Sequence, residues 1–407
     1  MTGHLERDAA DAGDNVYGAQ DEPSGPGRIV LVFQGGGALG AYQVGVYKAL
    51  HEAGLKPDWV IGTSIGAINA SLIAGNAPAD RLAALNAFWT RVEDKSVWPN
   101  WMPWLQASQS LSFMNKLTSG IPGFFEPNFQ AFLGAHASME AEQAGYYSTA
   151  PLEQTLLDLV DFKRLNTNQP RLTVGAAHVC SSRMHYFDSR ETEIGVKHIM
   201  ASGALPPAFP PVRIDGELYW DGGILSNTPT EAVFDDADRR NSLIFAVQLW
   251  DPHGQERRTM WDVAHRQKDV QFSSRVASQI VRQIEIHRLR HAIAELVENI
   301  PIQLRGSQAV RQLSSNGCLT RMHIVHLVAP RLDHEDQTKD LDFSRSGADR
   351  RREAGYANTC AAIKRAPWNG SFDPLEGVIL HEPGPGGWSC RTLNASTTPV
   401  ANGAANI

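Results

Sequence analysis

The sequence predicts an α/β protein: a sheet of mostly parallel strands flanked by helices, with a helical carboxy-terminal extension. Three observations carry that prediction. Ile29-Val30-Leu31-Val32-Phe33 is a continuous apolar run, as expected of a strand buried on both faces of a parallel sheet. A glycine-rich turn and a helical stretch follow it, and the same strand–turn–helix order repeats at once from Pro57. A long helical pattern then occupies about Trp261 to Asn299, ending before Pro301.

Taken in order, residues 1–26 are rich in Gly, Asp, Ala and Pro and read as a disordered tail. The first strand begins at Arg28. The helix after it runs from about Ala41 to Ala53 and is ended by Gly54, a residue suited to the left-handed turn that closes helices. Pro57-Asp58-Trp59-Val60-Ile61 reads as the second strand, and Ala67 to Ala74 as the second helix. Two strands joined through a helix imply a parallel pair with a right-handed crossover. Further strands are expected at Leu172–Val179, Met184–Asp188, Glu217–Trp220, Leu243–Trp250 and His323–Ala329. Residues 97–133 carry Trp98, Trp101, Trp104, Phe113, Phe124, Phe125 and Phe129 among Pro and Gly, and read as an irregular insertion. It is either a lid or membrane-surface contact, since Trp favours interfaces, or a satellite core over the sheet. From about Pro367 the chain is again Gly-, Pro- and Asn-rich and is expected to be loose. The resulting division is 1–26, 28–235, 236–366 and 367–407, with 236–366 completing the fold.

At 407 residues with 42% hydrophobic content, the chain can bury a sizeable core. A formal net charge of -7 gives no sign of nucleic-acid binding. No apolar run reaches the ~18 residues of a membrane-spanning helix. The polar, acidic start Met1-Thr2-Gly3-His4-Leu5-Glu6-Arg7-Asp8 lacks the apolar core of a signal peptide. The expected location is the cytoplasm, with peripheral membrane contact left open. Cys180, Cys318, Cys360 and Cys390 form no C-x-x-C pair, so free thiols and no metal or cofactor are expected.

Two motifs near the start carry chemistry. Gly62-Thr63-Ser64-Ile65-Gly66 is a G-x-S-x-G turn between a strand and a small-residue helix. Such a turn exposes and aims the serine hydroxyl, while glycines on either side leave room for neighbouring chain. The helix behind Ser64 adds backbone N–H groups and a partial positive charge. Gln34-Gly35-Gly36-Gly37-Ala38-Leu39-Gly40 can present backbone donors to an oxyanion, each often contributing about 3 kcal/mol. Gly36 and Gly37 are the expected donors, with Gly35 and Gly40 shaping the turn. If the two strands are adjacent, both turns emerge at the carboxyl edge of the sheet, where open α/β sheets keep their sites. Gly35, Gly37 and Gly40 also satisfy the dinucleotide fingerprint G-x-G-x-x-G. That fingerprint needs an acid at the end of the second strand, and the chain there reads Val60-Ile61-Gly62-Thr63. Asp221, followed by Gly222 and Gly223, is either an Asp-Gly hairpin turn or a base at a strand end.

Together these residues resemble the patatin-like phospholipase family, whose pattern is a G-G-G-x-x-G loop, a G-x-S-x-G elbow and a later D-G-[AG]. Ala201-Ser202-Gly203-Ala204-Leu205-Pro206-Pro207-Ala208-Phe209-Pro210-Pro211-Val212 is similar to the family's Pro-rich segment before the aspartate, and Asn227 and Pro229 fit the stretch after it. The resemblance covers about residues 28–235. It implies a patatin-like sheet and a Ser–Asp dyad: Ser64 as nucleophile, Asp221 as general base, a lipid or acyl-ester substrate, and an acyl-enzyme intermediate. Gly62 and Gly66 would frame the elbow. Many members carry a basic residue inside the loop, where this chain has Ala38 and Leu39. The donors are backbone groups, so catalysis need not suffer. Free aspartate titrates near pH 4, and partial burial beside Trp220 is expected to raise its basicity.

The alternatives are a small-substrate esterase or thioesterase and a non-catalytic lipid-binding protein of the same fold. An ordinary Ser–His–Asp hydrolase would need a late histidine, for which His323 and His326 are the candidates. His287 and His291 have i,i+4 spacing as in a zinc helix, but Arg288-Leu289-Arg290 lies between them, and they read as solvated surface residues.

Overall fold

The computed structural model describes residues 27–93, 120–133, 139–254, 259–273, 276–332, 335, 338–384 and 387–391. Ten strands form one sheet: β1 (Arg28–Phe33), β2 (Trp59–Thr63), β3 (Arg171–His178), β4 (Arg183–Asp188), β5 (Val212–Ile214), β6 (Glu217–Asp221), β7 (Ser242–Gln248), β8 (Met322–Val328), β9 (Val378–Gly384) and β10 (Gly387–Arg391). Their spatial order is β10-β9-β8-β7-β1-β2-β3-β6-β5, with β4 also paired to β3. The run from β9 to β3 is parallel throughout. The remaining pairings, at the two sides, are antiparallel.

The apolar runs explain the centre. β1, β2 and β7 are buried along nearly their whole length, because helices cover both faces. Alternation divides their side chains between two cores: Leu31 and Phe33 face one, Val30 and Val32 the other. The first core is covered by α1 (Ala41–Glu52), α2 (Ile65–Ala74), α3 (Arg81–Arg91), α4 (Ala150–Leu159) and α5 (Val196–Ser202). The second packs against Ile280 and Ile284 of α7 (Val276–Glu298), which follows α6 (Met260–Ser273). The long helical stretch expected over 261–299 is found in α6 and α7, with residues 274–275 between them outside the described residues. α8 (Gln308–Ser314) and α9 (Arg345–Arg365) lie beyond it. α9 returns to pack on α1 so closely that a Cβ on Gly45 would lie 1.9 Å from the Arg352 carbonyl oxygen.

The sheet does not stop at residue 235. β1 has β2 on one side and β7 on the other, so the middle of the sheet is closed by residues 242–248. A correction concerns the chain after Pro367, expected to be loose. Val378-Ile379-Leu380 is a short apolar run that pairs in parallel with β8 and is buried. Composition hid it, because Gly377 and Pro383 bracket it and Pro383 sits where β9 meets only the outer strand β10. Residues 1–26 and 392–407 lie outside the described residues. So do Trp98, Trp101, Trp104 and Phe113. Among the described residues, no helix is long and apolar enough to cross a membrane.

Candidate active site

Phe33 pairs with Gly62 in register, so β1 and β2 end side by side and their two turns leave the same edge of the sheet. The second turn is strained. Ser64 has φ 57 and ψ -127, a backbone conformation rare for a side-chain-bearing residue, and it sits at the N-cap of α2. Its flanking glycines are sterically required. A Cβ on Gly62 would lie 2.3 Å from the Gly66 carbonyl oxygen, and one on Gly66 would lie 2.3 Å from that of Phe33. The Ser64 amide donates to Ser202 at both the carbonyl oxygen (3.1 Å) and Oγ (3.0 Å). Ser202 Oγ in turn donates to the Gly175 carbonyl oxygen at 2.6 Å. The elbow is therefore pinned to α5 and β3.

The glycine loop abuts this serine: a Cβ on Gly35 would lie 2.9 Å from that of Ser64. Gly35 N–H is already taken by the Asn227 carbonyl oxygen at 3.2 Å. The amides of Gly36 and Gly37 make no hydrogen bond among the described residues and border the cavity in front of Ser64. Gly37 has φ 54, and Gly40 lies against Ile65. Behind the loop, Gln34 Oε1 accepts from the Leu249 and Trp250 amides, and Trp250 Nε1 donates to the Gly35 carbonyl oxygen at 2.8 Å.

Asp221 ends β6, whose partner β3 sets Ala176 opposite it. Its carboxylate accepts the Gly223 amide at 2.7 Å and lies close enough to the Ser64 hydroxyl for that group to draw its pKa down. Gly222 permits close packing, since a Cβ there would lie 2.5 Å from the Gly175 carbonyl oxygen. Asp221 is 3% exposed, and burial pushes its pKa up to about 6 against the opposing pull of those two donors. Strand alternation turns Trp220 to the opposite face, while Asp221 shares the buried face with Tyr219.

Ser64, Asp221 and the Gly35–Gly37 loop open on a cavity of about 220 Å³. Its walls are mostly apolar: Ile68, Phe124, Phe125, Leu152, Met200, Phe209, Phe272, Leu341 and Phe343 among them. Phe124 and Phe125, from the aromatic insertion, pack on Phe209 with ring centroids 6.2 and 5.4 Å apart, so this part of the insertion is a wall of the cavity. Phe129 projects outward at 76% exposure.

A family model described as patatin-like phospholipase matches residues 31–234, half of the chain. The chain belongs to the patatin-like phospholipase family. A second model, described as patatin phospholipase, matches residues 270–375. Lysophospholipase nte1 of Aspergillus terreus is 60% identical over 52 residues, 12% of this chain and 3% of its own length. Patatin-like phospholipase domain-containing protein 6 of Mus musculus is 28% identical over 203 residues, 50% of this chain and 12% of its own length. The chain thus spans only a small part of those curated relatives. Among solved structures, VipD from Legionella pneumophila aligns with 82% of this chain and 67% of its own at 15% identity and a TM-score of 0.34.

The structure of this patatin-like phospholipase family member separates the histidine candidates from the site. His323 bonds His381 at 3.0 Å, and His326 bonds Gln248 at 2.8 Å and Glu382 at 3.1 Å. Neither lines the cavity. His287 and His291 are not surface residues, a second correction. Both are buried, because they continue the Ile280–Ile284 face of α7 toward the sheet. His291 is held between the Thr320 and Pro374 carbonyl oxygens.

Several residues at the site went unmarked in the sequence. Ser202 lies inside the Pro-rich segment, and Gln34 directly precedes the loop, so both sit within a local sequence signal. Trp250, Phe272 and Asp340–Phe343 arrive from the distant carboxy-terminal part, and no local pattern distinguishes them.

Proposed function

We propose that this protein is a lipid acyl hydrolase that cleaves carboxylic esters through Ser64 and Asp221. The ester carbonyl sits between the Ser64 hydroxyl and the Gly36 and Gly37 amides, with its acyl chain in the apolar cavity. Ser64 Oγ attacks the carbonyl carbon as Asp221 accepts the hydroxyl proton. The tetrahedral oxyanion is stabilised by the two loop amides and by the amino-terminal end of α2. Collapse expels the alcohol or lysolipid, which takes the proton from Asp221. Water then attacks the acyl-enzyme with Asp221 again as base, releasing the fatty acid.

The observation that carries this reading is that Ser64, the Gly36 and Gly37 amides and a buried carboxylate whose pKa is pushed up to about 6 line one cavity. An aspartate at its ordinary value would be a weak base for serine, and desolvation narrows that mismatch. The apolar lining favours a fatty acyl group over a polar substrate. Family membership points the same way, as do the phospholipase and lysophospholipase names of the relatives.

The test is hydrolysis of a short-chain aryl ester and a fluorogenic phospholipid by wild type, Ser64→Ala and Asp221→Asn. Each substitution is expected to lower kcat by at least about 10³-fold with the fold intact. Preference for the phospholipid marks a phospholipase, and turnover of the small ester alone marks an esterase. Full activity in Ser64→Ala would overturn the reading.

A further inference from the structure

The back of the glycine loop rests on a pair of crossed ion pairs. On α6, Lys268 and Asp269 are adjacent; on a short helical turn, Lys339–Leu341, so are Lys339 and Asp340. Lys268 Nζ reaches both Asp340 carboxylate oxygens, at 2.8 and 2.9 Å. Lys339 Nζ donates to Asp269 Oδ1 at 2.6 Å in a pair almost closed to solvent. Each residue of one dipeptide is thus matched by its opposite charge in the other. Arg351 of α9 holds the same turn by donating to the Lys339 carbonyl oxygen at 3.2 Å.

This turn touches the loop by two routes. A Cβ on Gly37 would lie 2.4 Å from the Asp340 carbonyl oxygen. The Lys339 ammonium stands over the Trp250 ring, 5.2 Å from its centroid, and Trp250 holds the Gly35 carbonyl oxygen. A loop of consecutive glycines has little stiffness of its own, since glycine loses more backbone freedom on ordering than any other residue. Donors aimed at an oxyanion act through preorganisation, so what fixes the loop sets the rate.

We propose that Lys268, Asp269, Lys339 and Asp340 are positioning residues, a latch through which the carboxy-terminal third holds the Gly36 and Gly37 amides in place for catalysis. The proposal rests on the assignment of those amides as oxyanion donors. It makes the site one whose loop is not fixed until residues some 230 and 300 positions away close behind it.

The experiment compares wild type, Lys268→Asp, Asp340→Lys and the double exchange, using the more exposed of the two pairs. Three readings are taken: kcat and KM on a short-chain aryl ester, amide hydrogen exchange of a peptide spanning residues 34–40, and Tm. Each single exchange is expected to lower kcat roughly tenfold with KM changed less than about twofold. The 34–40 peptide should exchange several-fold faster, and the double exchange should restore both. A merely structural pair would lower Tm without accelerated exchange in that peptide or a selective loss of kcat. Unchanged exchange in the single variants, or kcat loss that the double exchange does not recover, overturns the latch. Ser64→Ala run alongside separates the two failures. If it is inactive while the exchanges are silent, the dyad stands and the latch falls. If it keeps its rate, the donor assignment falls first.

Discussion

The amino-terminal half and the carboxy-terminal part of this molecule meet at the same cavity but do different work. Residues 33–66 and 202–227 bring the serine, the loop and the aspartate, each on a tight turn at a strand end. Residues 249–272 and 339–343 bring an apolar wall and the polar fixings behind the loop. Reactive geometry here is local and brief in sequence, whereas the support for it is assembled from afar. The sheet has the same division, since β1 is completed by β7 from beyond the first family match.

The largest expected effect is on the amino-terminal side. Gly35→Ala would place a methyl group 2.5 Å from Asn227 Oδ1 and 2.9 Å from Ser64 Cβ. It should push the loop away from Ser64 and lower kcat by about 10²-fold or more. Steady-state hydrolysis of an aryl ester checks this. A loss of less than twofold would mean that the contact between loop and elbow has no bearing on turnover.

The smaller effect lies in the carboxy-terminal layer and concerns stability. Burial lowers the pKa of His287 to about 4, of His323 to about 4 and of His381 to about 3. In the unfolded chain these rings titrate near 6.5, so between that value and about 4 the unfolded state binds more protons. Their stabilising contribution is therefore complete above about pH 6.5 and is lost as pH falls toward 4. His287 alone accounts for at most about 3 kcal/mol of that decline. Both of its ring nitrogens are buried without a hydrogen-bond partner among the described residues. His287→Leu is expected to flatten the fall in unfolding free energy between pH 7 and 4.5, with esterase activity at pH 7.5 within about twofold of wild type. Chemical denaturation at several pH values measures this. An unchanged slope would show that His287 is accessible to protons in the folded state.

How much could be read in advance follows the same line. Ile29–Phe33 and the repeated strand–turn–helix order were enough to place β1, β2 and their turns, because a strand buried on both faces leaves a continuous apolar signature. Ser64, Gly35–Gly40 and Asp221 were legible because each needs glycines at fixed offsets to satisfy backbone geometry. β9 was not, since three apolar residues between Gly377 and Pro383 carry less local signal than the loop-forming residues around them. The burial of His287 and His291 was hidden as well, because the intervening arginines suggested solvent while the periodicity with Ile280 and Ile284 pointed inward. The Lys268–Asp340 and Asp269–Lys339 pairs had no sequence mark, for two charged dipeptides 70 residues apart look like ordinary surface.

The most direct test of the central claim is the pH dependence of covalent labelling by a fluorophosphonate, read by mass spectrometry of the digested protein. The account predicts a single adduct on the peptide containing Ser64. Its second-order rate constant should rise with pH through a midpoint near 6, as Asp221 gives up its proton. The same adduct should form at least about 10²-fold more slowly in Asp221→Asn. Labelling at another residue, or a rate on Ser64 that is flat from pH 4.5 to 7.5 and indifferent to Asp221, would contradict the dyad.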